Sequence, residues 1–323
     1  MARSIYIASP NAGTGKSTVA LGLVSCLTKV VAKVGVFRPF VESREGDAFL
    51  SLLLNRAGST TPPEQCVGAT WDEFHADPEE ALARIVDAYR ALAREHDVVI
   101  IDGSDFTDVA GNPELALNAR VAANIGVPVL LVVSGQNDVE DVVASVEVSM
   151  AEIADNHART VAVVANKCLP ETRQAVGEAL TAIEGITSTT LPEVPLLAAP
   201  VVREVLDAVE GTLIAGDETL LDREAESVLV CAMDVAHVLE RLTAGQLAIV
   251  PADRSAMLIS LMAAQASSSF PILSGLILNG GFEVAPHALR LLEGLDVNIP
   301  VITSPLDTFT AASAAGSLQG LLA

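Results

Sequence analysis

The sequence predicts an α/β protein, a P-loop parallel sheet covered by helices and followed by a smaller α/β domain. Three observations carry this. Short β-rich runs alternate with longer helical patterns along the whole chain, the arithmetic of βαβ units. A Gly-Lys-Ser turn sits between an apolar run and a helical segment close to the amino terminus. Apolar residues make up 50% of the 323 positions but aromatics only 3%, so the cores must be built from Ala, Val, Leu and Ile, as in parallel sheets between helices.

The elements follow in order. Ile5, Tyr6, Ile7 and Ala8 read as the buried part of a strand over 4–9, and 18–27 as a helix with an apolar face. Further strand-like runs lie at 33–40, 97–102, 127–134, 160–167 and 194–200. Between them, Pro78–Glu95 and 113–124 have helical patterns with Pro at the first turn, where its missing N–H costs nothing. After residue 200 the composition turns acidic and turn-rich, with Gly211 and Gly216 breaking it up. This predicts a nucleotide-binding domain over 1–208, an acidic linker over 209–226 and a second domain over 227–323. Strand-like runs of that second domain lie at 228–233, 246–251, 275–281 and 299–305. The closing "FTAASAAGSLQGLLA" reads as the opening of a helix, which raises the expectation that the chain continues past Ala323.

The strand, turn and helix around Gly13 and Gly15 form an anion site in prospect. Glycines let the backbone curl so that successive N–H groups face one spot beside the positive end of a helix. Asn11, Ala12, Gly13, Thr14, Gly15, Lys16, Ser17 and Thr18 are the loop candidates. Lys16 reaches the β/γ-phosphates, and the Ser17 hydroxyl takes a magnesium ion. The full pattern asks for Gly at position 10, where this chain has Pro10. An ordinary strand-turn-helix with a chance Gly-Lys-Ser is the alternative.

Asp102 ends an apolar strand, where a P-loop protein places a carboxylate that reaches magnesium directly or through water. A turn or cap role is the alternative. Asp47 opens a helical stretch and reads first as an N-cap. Asn166 and Lys167 follow a buried run. An amide can serve an adenine edge, and a strand-ending turn is equally compatible with the spacing.

Composition excludes several classes. A net charge of −22 argues against a nucleic-acid partner, which needs a surplus of Lys and Arg. Cys26, Cys66, Cys168 and Cys231 are scattered without a C-x-x-C pair, so neither a zinc site nor a disulfide framework is indicated. The histidines at 75, 96, 157, 237 and 287 are isolated, and no catalytic residue is assigned. Without a signal peptide or membrane-length apolar run, a cytoplasmic protein is expected and no membrane partner.

The segments "SPNAGTGKST", "FRPF", "GDAFLSLLLNRAGS", "DVVIIDG" and "VAVVANK" resemble, in this order, the dethiobiotin-synthetase-like P-loop family. "HVLERLTAGQLAIVPADRSAML" and "SGLILNGGFEV" resemble the domain named for an Asp-Arg…Thr-Gly-Gly signature. Together they are similar to the amino-terminal region of long-form bacterial phosphate acetyltransferases. The resemblance implies Mg2+ and ATP or another purine nucleotide as cofactors, a metal-contacting set of Ser17, Asp47 and Asp102, and a purine contact at Asn166. It puts Arg38 on the substrate side. Asp253 and Arg254 match the signature dipeptide, with Asn279, Gly280 and Gly281 standing for Thr-Gly-Gly. Their implied role is an effector site.

The implied function is the regulatory, nucleotide-sensing part of an enzyme that exchanges acetyl between coenzyme A and phosphate. Nucleotide hydrolysis would be slow, the chain a homo-oligomer, and the transacetylase domain covalently linked downstream. A free-standing ATP-dependent ligase or ATPase is the alternative. Against it stand the second domain and the departure at Gly103-Ser104-Asp105-Phe106 from the synthetases' Glu-Gly-Ala-Gly-Gly. Asn11 replaces the signature Lys of partition ATPases, which counts against a dimer-switch mechanism.

Overall fold

Strand β1 (Arg3–Ala8) forms where Tyr6 and Ile7 can be buried completely, and everything in the first half of the chain is arranged around it. The computed structural model describes residues 3–104, 114–294, 298–318 and 320. They fall into two units, one ending at Val194 and the other beginning at Pro195.

In the first unit β1 is followed by α1 (Lys16–Leu27), β2 (Val34–Val41), α2 (Ala48–Ala57), β3 (Val67–Thr70), α3 (Trp71–Ala76) and α4 (Pro78–Glu95). Then come β4 (Val98–Asp102), α5 (Glu114–Ile125), β5 (Val129–Ser134), α6 (Val139–Asp155), β6 (Thr160–Cys168), α7 (Arg173–Thr181) and β7 (Thr187–Pro192). The seven strands are all parallel in the order β3-β2-β4-β1-β5-β6-β7. Central strands such as β4 and β5 are apolar at nearly every position because helices cover both faces. Helix α4 shows how local signals set an element. Asp77 caps it by accepting from the Glu80 N–H (3.1 Å), and Pro78 occupies the first helical position. Leu82, Ile85, Tyr89 and Leu92 supply the buried stripe.

The second unit holds α8 (Pro195–Ala198), α9 (Val202–Ala208), β8 (Thr212–Ala215), β9 (Ser227–Val230), α10 (Val235–Leu239), β10 (Gln246–Pro251), α11 (Ser255–Gln265), β11 (Gly275–Asn279), α12 (Pro286–Gly294), β12 (Val301–Thr303) and α13 (Thr308–Ser317). Its sheet runs β8-β12-β11-β10-β9, parallel except for β8. Period-two alternation splits the strands between two cores. Ala248, Val250, Leu276 and Leu278 join Leu258 and Leu261 on one face, and Leu247, Ile249, Ile277 and Ile302 join Val202 and Val205 on the other.

Three expectations are corrected. The stretch 194–200 is not a strand: Pro195 cannot donate to a ladder, yet it suits the start of the short helix α8. The sheet edge is taken instead by the Thr- and Ser-rich β7, which has no apolar alternation to announce it. The acidic stretch 209–226 is no free linker, since it contains β8, hydrogen-bonded antiparallel to β12. Residues 195–208 also belong with the second unit, because Val202, Val205 and Val209 pack into its core.

Candidate functional site

The carboxyl ends of β1, β2, β4 and β6 bring the predicted nucleotide-site residues of the first unit to one edge of the sheet. The loop after β1 turns at Gly13 (φ 73°) and Gly15 (φ 75°), left-handed conformations that favour glycine. Gly15 is required for a second reason: a Cβ there would lie 2.3 Å from the Asn166 amide nitrogen. Lys16 opens α1 and is 1% exposed. Its Nζ donates to Asp102 Oδ1 (2.7 Å) and to the Gly103 carbonyl (2.5 Å).

Asp102 ends β4, the strand paired with β1 in register Ile7 to Asp102, and it is fully buried. On its other side stands Arg38 of β2, whose Nε lies 3.3 Å from Asp102 Oδ2. That separation lacks hydrogen-bond alignment, so both buried atoms are left without a hydrogen bond. Arg38 also pairs with Asp47 Oδ2. Asp47 caps α2 by accepting from the Leu50 N–H through Oδ1 (2.8 Å). Lys16, Asp102, Arg38 and Asp47 thus form a continuous chain of two cations and two carboxylates.

Asn166 and Lys167 hold the loop from the far side. Asn166 Nδ2 donates to the Thr14 carbonyl (3.0 Å), and Lys167 Nζ donates to the Gly13 carbonyl (2.8 Å). Lys167 adopts φ 58°, uncommon for a side-chain-bearing residue. The neighbouring Thr14 hydroxyl is buried without a hydrogen-bond partner. Asn11 and Ala12 are exposed at the loop tip, and Ser17 and Thr18 are half-buried in the first turn of α1.

Sequence reasoning missed Asn118. This buried residue of α5 accepts from the Ser104 N–H (3.0 Å) and the Tyr6 hydroxyl (2.7 Å), and donates to the carbonyls of Ser104 (3.3 Å) and Glu114 (3.1 Å). It fixes the backbone just beyond Asp102. A polar residue at a buried position of an apolar helix was the one signal available. Gly103 lies in the same knot, where a Cβ would meet Asn118 Oδ1 and the Ile7 carbonyl at 2.6 Å. Asp105 and Phe106 lie outside the described residues.

A magnesium ion fits part of the expected set. Asp102 Oδ2 lacks a hydrogen bond, and Ser17 stands beside the lysine that pairs with that carboxylate. Asp47 does not fit as a direct ligand, since one oxygen caps α2 and the other pairs with Arg38. Among the described residues no group of three or more His, Cys, Asp or Glu side chains could hold a metal.

In the second unit the signature residues tie strand ends together. Arg254 donates to the carbonyls of Cys231 (2.8 Å), Ala232 (3.1 Å) and Met233 (3.2 Å), which ends β9 short of the expected residue 233. Asn279 is buried. With its amide oriented to satisfy both ends, Nδ2 donates to the Val250 carbonyl (3.1 Å) and Oδ1 accepts from Thr308 N (3.0 Å). Gly280 (φ 96°) and Gly281 (φ 68°) end β11, and their N–H groups donate to the carbonyls of Leu306 (2.7 Å) and Ser304 (3.1 Å). A cavity of ≈ 550 Å³ lies nearby, lined by Glu210, Thr212, Gly281, Phe282, Glu283 and Ser304 among others, with no basic side chain. Only Gly281 of the signature set lines it, and Asp253 is exposed elsewhere.

The profile of a family described as an AAA domain matches residues 3–204. The chain belongs to this AAA domain family. A second profile, described as a DRTGG domain, matches residues 204–318, so the AAA domain is followed by the domain type its signature residues resemble. Curated relatives align with this chain along nearly its whole length. The phosphate acetyltransferase of Nitratidesulfovibrio vulgaris (strain Hildenborough) is 27% identical over 337 residues, covering 99% of this chain and 48% of that protein. The phosphate acetyltransferase of Synechocystis sp. (strain PCC 6803) is 25% identical over 335 residues, covering 100% and 48%. The chain therefore spans about half the length of these relatives. Among solved structures, the septum site-determining protein MinD of Pyrococcus horikoshii, complexed with Mg-ADP, is 19% identical with a TM-score of 0.39, covering 61% of this chain and 84% of that one. No helix among the described residues is long and apolar enough to cross a membrane.

Proposed function

We propose that the AAA domain of this chain binds a purine nucleotide with magnesium and serves as the regulatory half of a phosphate acetyltransferase, without transacetylase activity of its own. The single observation that carries the nucleotide reading is the loop held from both sides, by Asn166 and Lys167 on its carbonyls and by the Lys16 to Asp102 pair at its helix end. A loop braced in this way has its N–H groups preorganised for an anion, which lowers the ordering cost of binding. Phosphate would draw Lys16 from Asp102, and the carboxylate so released would face the magnesium ion with Ser17. The ion would neutralise phosphate charge. Asn166 already donates to the loop, so a purine contact falls to its carbonyl oxygen.

The regulatory reading is supported by the match to about half the length of phosphate acetyltransferases, across both domain types. Acyl transfer to phosphate needs a site that orients a thioester and stabilises developing negative charge. Arg38, which shares Asp102 with Lys16, is engaged by Asp47. Coupling to a catalytic half would be worth roughly 1–3 kcal/mol. Isothermal calorimetry with Mg-ATP on the chain and on Lys16→Ala tests the first claim, and equal affinities would remove Lys16 from the site. Thioester loss from acetyl-coenzyme A and phosphate tests the second. Robust turnover by this chain alone would overturn it.

A further inference from the structure

β7 is the terminal strand of the seven-stranded sheet, hydrogen-bonded to β6 on one side. Among the described residues no backbone hydrogen bond outside the strand ladder involves residues 184–192. Natural sheets guard such edges with charge, bulges or a covering segment. Here Thr187–Pro192 contains no charged residue, Thr187, Thr189 and Leu191 are exposed, and Pro192 stands only at the strand's end. On one face of the strand lies α7. Gly177 has no side chain to fill the space above Thr190, and helix and strand leave an open groove of ≈ 510 Å³ lined by Gln174, Glu178, Thr181, Ser188 and Thr190. A groove between an edge strand and a helix is the place where an added strand lies.

We propose that this edge receives the same edge of a second copy of the chain, antiparallel, about a two-fold axis near Thr189. Charge selects this occupant. At a net −22 most self-contacts bring carboxylates together, whereas two copies of β7 meet without a charge between them. The axis sets Thr189 opposite itself, Thr187 opposite Leu191 and Ser188 opposite Thr190, pairings that suit an antiparallel ladder. It stands perpendicular to the sheet, so both copies of α7 lie on one face and run in opposite directions. Arg173 sits at the Thr190 end of the groove, its Nε 3.4 Å from the Thr190 hydroxyl, and Glu178 lies farther along the helix. The two-fold reverses that order and turns Arg173 of one copy toward Glu178 of the other, an isologous and charge-complementary contact.

Sedimentation velocity on the 323-residue chain over a range of concentrations tests this. A concentration-dependent dimer is expected. Thr189→Lys sets two ammonium groups against each other at the axis and weakens the dimer by about tenfold or more, with unchanged thermal unfolding of the monomer. Arg173→Glu and Glu178→Arg, both exposed positions, each weaken it, and the double reversal restores it. A monomer at every concentration overturns the proposal and leaves the edge to an extended segment of some other chain. A dimer indifferent to Thr189→Lys and to both single reversals also overturns it, as does a double reversal as weak as the singles.

Discussion

Lys16 Nζ lies 2.7 Å from Asp102 Oδ1, and neither side chain is more than 1% exposed. Two charges taken this far from water depend on each other, because removing one takes from the other its closest buried counter-charge. Lys16→Met and Asp102→Asn are each expected to lower unfolding free energy by about 3 kcal/mol. Lys16→Met combined with Asp102→Asn recovers a large part, since no lone charge remains between the two positions. Urea denaturation of the three variants measures this. Strict additivity of the single losses would show that the pair is not coupled.

Gly15 is expected to tolerate no side chain. Its φ of 75° and the Asn166 amide nitrogen 2.3 Å from a Cβ position both oppose substitution. Gly15→Ala should cost more than about 1 kcal/mol and weaken nucleotide binding together with stability. Thermal unfolding and calorimetry on one preparation check it. A variant as stable as the parent would mean that Asn166 moves aside freely.

The start of α3 should respond to acid. Glu73 and Thr70 form a reciprocal cap, Glu73 Oε2 accepting from Thr70 N (2.9 Å) and Thr70 Oγ1 from Glu73 N (3.3 Å). That backbone bond from Thr70, and behind it Arg44 and Arg84, holds the Glu73 carboxyl below its ordinary 4.5. A depressed carboxyl stabilises the fold fully above pH 4.5, and the contribution fades as pH falls through the depressed value. Trp71, the chain's single tryptophan, stacks on Phe40 at 4.8 Å beside this cap and reports it by fluorescence. An acid transition in Trp71 emission is expected in the parent and absent in Glu73→Gln, which keeps a capping amide without the charge. The same transition in both proteins would assign it to another group.

Cysteine reactivity should separate one thiol from three. Burial pushes Cys66 up to about 11, with Glu64 adding to the effect, and pushes Cys231 up to about 11 against the pull of Arg254. Burial also raises Cys168. Cys26 is exposed. At pH 8 iodoacetamide should modify the folded chain once, at Cys26, and the denatured chain four times, counted by mass spectrometry. Because these folded thiols titrate above the ordinary 9.0, their contribution to stability is complete below pH 9 and is lost as pH rises toward 11.

Much of the fold could be read from residue patterns alone, for physical reasons that operate locally. β1, β4, β5 and β6 are buried on both faces and therefore carry continuous apolar runs. α4 announces itself through its cap, its Pro78 and its stripe. The loop glycines and Lys16 were legible because left-handed backbone and phosphate chemistry restrict the residue types that can stand there. β7 and β8 were not legible. Short polar or mixed strands draw their stability from a neighbour distant in sequence, β6 for one and β12 for the other. The same holds at the site. Sequence named Lys16, Asp102, Arg38 and Asp47 as separate candidates, while pairing of β1 with β4 and of β4 with β2 joined them into one chain of charge. Asn118, 14 residues beyond Ser104 along the chain, and Arg254, which gathers carbonyls 21 to 23 residues away, acquire their roles through contacts that no local pattern contains. Local chemistry decides which residue types a turn, cap or buried strand accepts, whereas the partner of a buried charge or amide is decided only when the sheet brings distant segments side by side.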